Sequence, residues 1–141
     1  IVQVVDAQRK GIGNVPDAKQ EYNLRRLIEE LLDPLREAWG KPLKVTSGFR
    51  GFQLNKAVGG STTSAHSIGA AADIVPVDGD MKKFKRFVKD WLKKTGTKFD
   101  QYIDEKNGSG SEWVHLGLIN KDGKQRCQYL MYRNRTYVKI Q

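Results

Sequence analysis

The chain holds only two histidines, and each stands in a setting suited to metal chemistry. His66 lies in Ser64-Ala65-His66-Ser67-Ile68-Gly69-Ala70-Ala71-Ala72-Asp73, and His115 lies in Glu112-Trp113-Val114-His115. Residues Gly69 to Ala72 carry minimal side chains, so the backbone there can fold tightly and turn His66 and Asp73 toward one point. Two imidazole nitrogens and one carboxylate oxygen make a three-ligand zinc set, which leaves the fourth tetrahedral position for water as hydrolytic sites require. Either histidine alone reads more readily as a hydrogen-bonded structural residue. With Asp73 and Glu112 beside them, the metal reading becomes the better one.

Glu112 is the carboxylate expected to take a proton from the attacking water. Geometry sets a condition on that role. In a regular strand Glu112 and His115 point to opposite faces, so both reach one ion only if Glu112 sits in the turn before the strand. The preceding Asn107-Gly108-Ser109-Gly110-Ser111 segment suits such a turn. His115 shares its strand face with Trp113 and Gly117, which gives the site an aromatic wall.

The elements that must hold these groups follow from periodicity. Tyr22, Leu24, Leu27, Ile28, Leu31, Leu32, Leu35, Ala38 and Trp39 recur at helical spacing, with Pro34 expected to kink the run or restart it after Asp33. A second helix is expected from Asp80 as N-cap to Thr95, with Gly96 as terminator and Met81, Phe84, Phe87, Val88, Trp91 and Leu92 as its apolar stripe. Its lysines and arginine (Lys82, Lys83, Lys85, Arg86, Lys89, Lys93 and Lys94) read as an outward, solubilising face. A shorter helix is expected near Phe52 to Val58. Strands are expected at Leu43 to Ser47, Asp73 to Val77, Phe99 to Asp104, Trp113 to Ile119 and Gln128 to Tyr132. The Lys121-Asp122-Gly123-Lys124 turn suggests that the last two form an antiparallel hairpin. These elements predict an α+β fold, a small antiparallel sheet with flanking helices, in a single domain over residues 1–141.

Composition narrows the partners. The 141 residues carry 25 Lys and Arg against 16 Asp and Glu, a formal charge of +9, which favours a polyanionic partner. The lysine-rich helix offers no base-reading motif, so specific nucleic-acid binding is not expected. No stretch is apolar for long enough to span a membrane. Cys127 is the single cysteine, which excludes a disulfide or a cysteine-rich metal site within one chain, and it reads as a buried small hydrophobe.

The sequence resembles the M15 family of zinc peptidases, the D-Ala-D-Ala carboxypeptidase and dipeptidase group that also includes bacteriophage endolysins. The family pattern Ser-x-His-x-x-Gly-x-Ala-x-Asp is met at Ser64, His66, Gly69, Ala71 and Asp73, and its Glu-x-x-His element at Glu112 and His115. Upstream, Thr46-Ser47-Gly48-Phe49-Arg50 with Leu54-Asn55 and Val58-Gly59-Gly60 looks like the family's strand, arginine and loop leading to the metal motif. The resemblance implies Zn2+ bound by His66, Asp73 and His115, with Glu112 as general base and Arg50 holding the substrate carbonyl. It suggests a hydrogen-bonding role for Ser64 toward substrate or ligand, where an ordinary loop-capping serine is the competing reading. Some relatives carry histidine where this chain has Trp113, a departure that fits the dipeptidase-like and endolysin-like members.

The implied fold is Hedgehog/DD-peptidase-like, and the implied activity is hydrolysis of peptidoglycan stem peptides at a terminal D-Ala-D-Ala bond or an internal L-Ala-D-Glu bond. A monomer is expected to act at the bacterial cell wall, in the periplasm or outside the cell, on peptide substrate embedded among anionic wall polymers. Synthesis in a host cytoplasm as a phage lysin is a further route to that place. The alternative is a noncatalytic cell-wall or protein binding module with a Hedgehog-like zinc site, which the presence of both Glu112 and Arg50 disfavours.

Overall fold

The structure, a computed structural model, describes residues 16–48 and 65–140. Arg50, Ser64 and the helix expected near Phe52 to Val58 lie outside the described residues.

Helix α1 (Ala18–Leu27) starts at Asp17, whose carboxylate accepts from the Gln20 amide at 2.8 Å while the Gln20 side chain accepts from the Asp17 amide. The run continues through one wide turn, Ile28–Leu32, into α2 (Asp33–Trp39). Pro34 explains that turn. It brings no N–H for the Glu30 carbonyl, and the register widens so that the Asp33 amide reaches Ile28 O instead. Gly40 ends α2 in the left-handed conformation at φ 75°. Helix α3 (Met81–Thr95) carries the expected caps, with Asp80 accepting from the Lys83 amide and Gly96 closing the end at φ 65°.

Six strands form one sheet: β1 (Leu43–Ser47), β2 (Ala71–Pro76), β3 (Gln101–Lys106), β4 (Glu112–Gly117), β5 (Gln128–Arg133) and β6 (Thr136–Lys139). Their spatial order is β1-β2-β4-β3-β5-β6. The fold is thus α+β and mostly antiparallel, but the expected β4–β5 hairpin does not form. Strand β5 crosses to the far side of β3 and pairs with it in parallel, Tyr102 opposite Tyr129 and Glu105 opposite Tyr132. A turn at Asp122-Gly123 does close locally, since Asn120 accepts through its side chain from the Asp122 and Lys124 amides, yet the chain leaves it along a different line. Strand β6, absent from the sequence reading, pairs antiparallel with β5. Its residues are all exposed, so alternation left no apolar stripe to read.

One sheet face carries the core. Ala72, Ile74, Tyr102, Val114 and Leu116 meet Leu27, Leu31, Leu35 and Trp39 from the first helical run and Phe84, Val88 and Leu92 from α3. Trp39 packs edge-on against Phe84 with centroids 5.1 Å apart. On the opposite face, Ala71, Ile103 and Leu130 are buried but belong to no part of that cluster.

Asn23 ties the helical layer to the site. It is buried on α1 and donates from Nδ2 to the Ile68 carbonyl at 2.9 Å, in the turn that carries His66. Asn23→Ala should leave that carbonyl without its donor and cost about 1–3 kcal/mol, read as a lower denaturant midpoint at unchanged slope.

Candidate metal centre

Asp73 and His115 are directly opposite one another on the neighbouring antiparallel strands β2 and β4. Residues so paired project from the same face, so the register alone sets the carboxylate beside the imidazole. His66 arrives from the single turn Ala65–Ile68, which is closed by the Ala70 amide on Ala65 O at 2.9 Å. Gly69 then redirects the chain into β2 at φ 78°, and an ideal Cβ there would stand 2.5 Å from the Gln20 carbonyl oxygen. The position therefore requires glycine on two grounds, a left-handed backbone and direct contact with the α1 backbone.

The three groups converge. Asp73 Oδ1 lies 3.3 Å from His66 Nε2 and 3.2 Å from His115 Nδ1, and the two rings stand 5.1 Å apart at 67°. Ligand atoms of His66, Asp73 and His115 all fall within 4.8 Å of one another, the spacing of donors around one ion. His66 is oriented from behind, since its Nδ1 sits 2.8 Å from the Gly48 carbonyl, which can only accept. The Nδ1 proton is thereby fixed, and Nε2 of the neutral ring presents a lone pair to the site. Burial works against the Asp73 anion, but the His115 and His66 rings set against it outweigh burial and hold the carboxyl well below the usual range. An ionised carboxylate and imidazole lone pairs directed at one point are a donor set for a divalent cation, and the residues fit zinc.

Trp113 leaves β4 on the same face as His115, half-buried, with its Nε1 enclosed and without a hydrogen-bond partner among the described residues. Gly117 shares that face as well, where an ideal Cβ would lie 3.7 Å from His115 Nε2.

Glu112 does not meet its geometric condition. It is the first residue of β4, paired with Lys106, and not part of the preceding turn. Its side chain therefore leaves on the face of Val114 and Leu116, away from His115. There its Oε1 is 2.5 Å from Lys85 Nζ, which also lies 2.7 Å from Asp104 Oδ1. The Lys85 ammonium beside Glu112 holds its carboxyl below the ordinary glutamate value, the opposite of what a base acting near neutral pH needs. Lys85 itself departs from the outward lysine face, being buried at the foot of α3 under these two acids. Cys127 departs too. It is exposed, at φ 52° just before β5.

The sequence reading missed Asn23, Lys85 and Glu105. For Glu105 a signal existed, because extending the predicted Phe99 to Asp104 strand by one residue puts Glu105 in phase with Ile103, the cross-strand partner of His115.

The family model described as Peptidase M15 matches residues 2–116 of the chain. No curated protein matches it.

Proposed function

The chain belongs to the peptidase M15 family, and from that premise we propose that it is a zinc-dependent peptidase hydrolysing the stem peptides of peptidoglycan. The observation that carries this reading is the convergence of His66, Asp73 and His115, with the proton of His66 fixed on its far nitrogen by Gly48. A zinc ion held there supplies Lewis acidity, polarising a carbonyl and acidifying water. The chain's own residues do the rest. Asp73 neutralises part of the ion's charge, the two imidazoles fix its position, and Arg50 is proposed to hold the substrate carbonyl where negative charge develops. Ser64 and Trp113 are proposed to contact the peptide. The scissile bond is a terminal D-Ala-D-Ala or an internal L-Ala-D-Glu linkage, and the fold is of the Hedgehog/DD-peptidase kind.

The formal charge of +9 suits an anionic cell wall as the place of action, with wall polymers concentrating the protein near its substrate. One observation favours a second reading, a noncatalytic module with a metal site, namely that Glu112 faces away from His115.

The test is to incubate purified muropeptides with the zinc-loaded protein, with the chelated protein, and with the chelated protein resupplied with zinc, then follow the products by mass spectrometry. New fragments should appear with zinc, disappear on chelation and return on resupply, and their masses identify the bond. Stoichiometric zinc with no new fragment would establish the noncatalytic reading.

A further inference from the structure

The two helical segments of the chain manage their exposed charge in opposite ways. On the first, arginines stand four residues from glutamates and meet them, Arg25 on Glu21 at 3.0 Å and Arg26 on Glu30 at 2.7 Å. Helix α3 instead carries seven cations against one acid, Asp90. Of the seven, Lys85 turns inward to Asp104 and Glu112. Lys82, Arg86, Lys89 and Lys93 recur at intervals of four, three and four residues, which sets them along one side of the helix over about 16 Å. Lys82, Arg86 and Lys93 are exposed and Lys89 is partly so, and none of the four meets a carboxylate among the described residues. Lys93 lies 5.0 Å from the Tyr129 ring centroid, a contact that supplies no counter-charge.

Like charges at these intervals weaken a helix about as much as opposite charges strengthen it. The stripe therefore works against the fold that carries it. Solubility alone would be served as well by mixed charge, as on the first helical run. The stripe is also clear of the metal centre. Phe84, Val88 and Leu92 bury the other side of α3 in the core with Ile74 and Val114, while Asp73 and His115 alternate to the far face of the sheet. A ligand held on the stripe does not cover the face on which His66, Asp73 and His115 converge.

We propose that the stripe of Lys82, Arg86, Lys89 and Lys93 is a docking surface for a linear phosphodiester polymer of the cell wall. The choice of a wall polymer rests on the peptidoglycan reading above. Three of the four cations are lysines, point charges that answer phosphate without the planar, two-oxygen fit of arginine on carboxylate. The four include no aromatic or amide side chain with which to stack on a base or read its edge, which favours a simple polymer over nucleic acid. Docking there holds the metal face close to a polymeric substrate and raises the local concentration of peptide.

The experiment sediments the chelated full chain with sacculi that carry poly(glycerol phosphate) and with the same sacculi stripped of it by hydrofluoric acid. Wild type should bind the first far better than the second, and its affinity should fall about fiftyfold between about 50 and 200 mM salt, as roughly four neutralised phosphates require. Combining Lys82→Gln, Arg86→Gln, Lys89→Gln and Lys93→Gln should weaken binding at the lower salt at least about tenfold and remove most of the salt dependence. That variant should melt no lower than wild type, since it relieves like-charge neighbours. Combining Lys44→Gln, Lys121→Gln, Lys124→Gln and Lys139→Gln removes the same formal charge from exposed positions outside α3 and should keep the salt dependence. Equal losses in the two variants would assign the binding to net charge, and a lower melting temperature in the first would assign the stripe to the fold; either overturns the proposal. Equal binding to stripped sacculi also overturns it, as does duplex DNA that displaces the protein at a lower phosphate concentration than free poly(glycerol phosphate). Because binding is read without metal, absent muropeptide hydrolysis by the zinc form sinks the peptidase reading separately.

Discussion

Asp73→Asn should weaken zinc binding by about two to three orders of magnitude, the share of one charged ligand in a three-ligand grip. Asp73 is the group on which the site closes, because one oxygen meets both imidazoles at 3.2 and 3.3 Å. An amide keeps the shape and loses the charge. The neutral oxygen is a poorer donor, and the amide nitrogen cannot ligate while it holds its protons. The effect is read by chelator competition and by melting with and without zinc. Saturating zinc at about a thousand times its dissociation constant should stabilise the wild type by about 4 kcal/mol, and at the same zinc concentration that gain should shrink to about 0.4–1.4 kcal/mol in Asp73→Asn. A variant that kept the zinc-dependent rise in melting temperature would remove Asp73 from the ligand set. Affinity in the wild type should also fall as pH drops through the histidine range, since protons compete for the same lone pairs.

Gly69→Ala is expected to be the most damaging substitution to stability. The left-handed backbone at φ 78° costs an alanine about 1–2 kcal/mol, and the added Cβ meets a helix carbonyl at 2.5 Å that cannot rotate away. Displacing the turn or α1 adds about 1–3 kcal/mol of overpacking, for a total of roughly 2–5 kcal/mol. Gly40→Ala provides the internal comparison. It has nearly the same φ, 75°, with no atom within 4 Å of an added Cβ, so it should pay only the conformational cost, about 1–2 kcal/mol. Equal losses in the two variants, measured by denaturant unfolding, would show that the contact with Gln20 is unimportant. Because the Gly69 turn also aims His66, Gly69→Ala should lose zinc affinity and Gly40→Ala should keep it.

The convergence of His66, Asp73 and His115 was legible because two of them are separated by a short run of small residues and the third sits in an alternating strand pattern. Helix α3 was legible for a similar reason, its caps and apolar stripe all lying within one stretch of chain. What escaped depends on partners distant in sequence. The parallel pairing of β3 with β5 is decided by where the chain goes after the Asp122-Gly123 turn, and no local residue encodes that direction. Strand β6 lies at the sheet edge with every residue exposed, so hydrophobic alternation could not mark it. Lys85 looked like one of a row of solvated lysines until β3 and β4 placed Asp104 and Glu112 against it. Glu112 was a question of strand phase: its spacing from His115 suited the family pattern, while the alternation of β4 turns it to the helix side. Arg50 and Ser64 lie outside the described residues.

The order of the sheet also bears on how the chain assembles. Strand β4 occupies the slot between β2 and β3, both of which precede it in sequence. A growing polypeptide therefore releases His66 and Asp73 before the strand that carries His115. Full chelation must wait for the middle strand to insert, a non-local step that is slow relative to local turns and helices. Closing the three-donor group and joining β2 to β3 through β4 are, on this topology, one step.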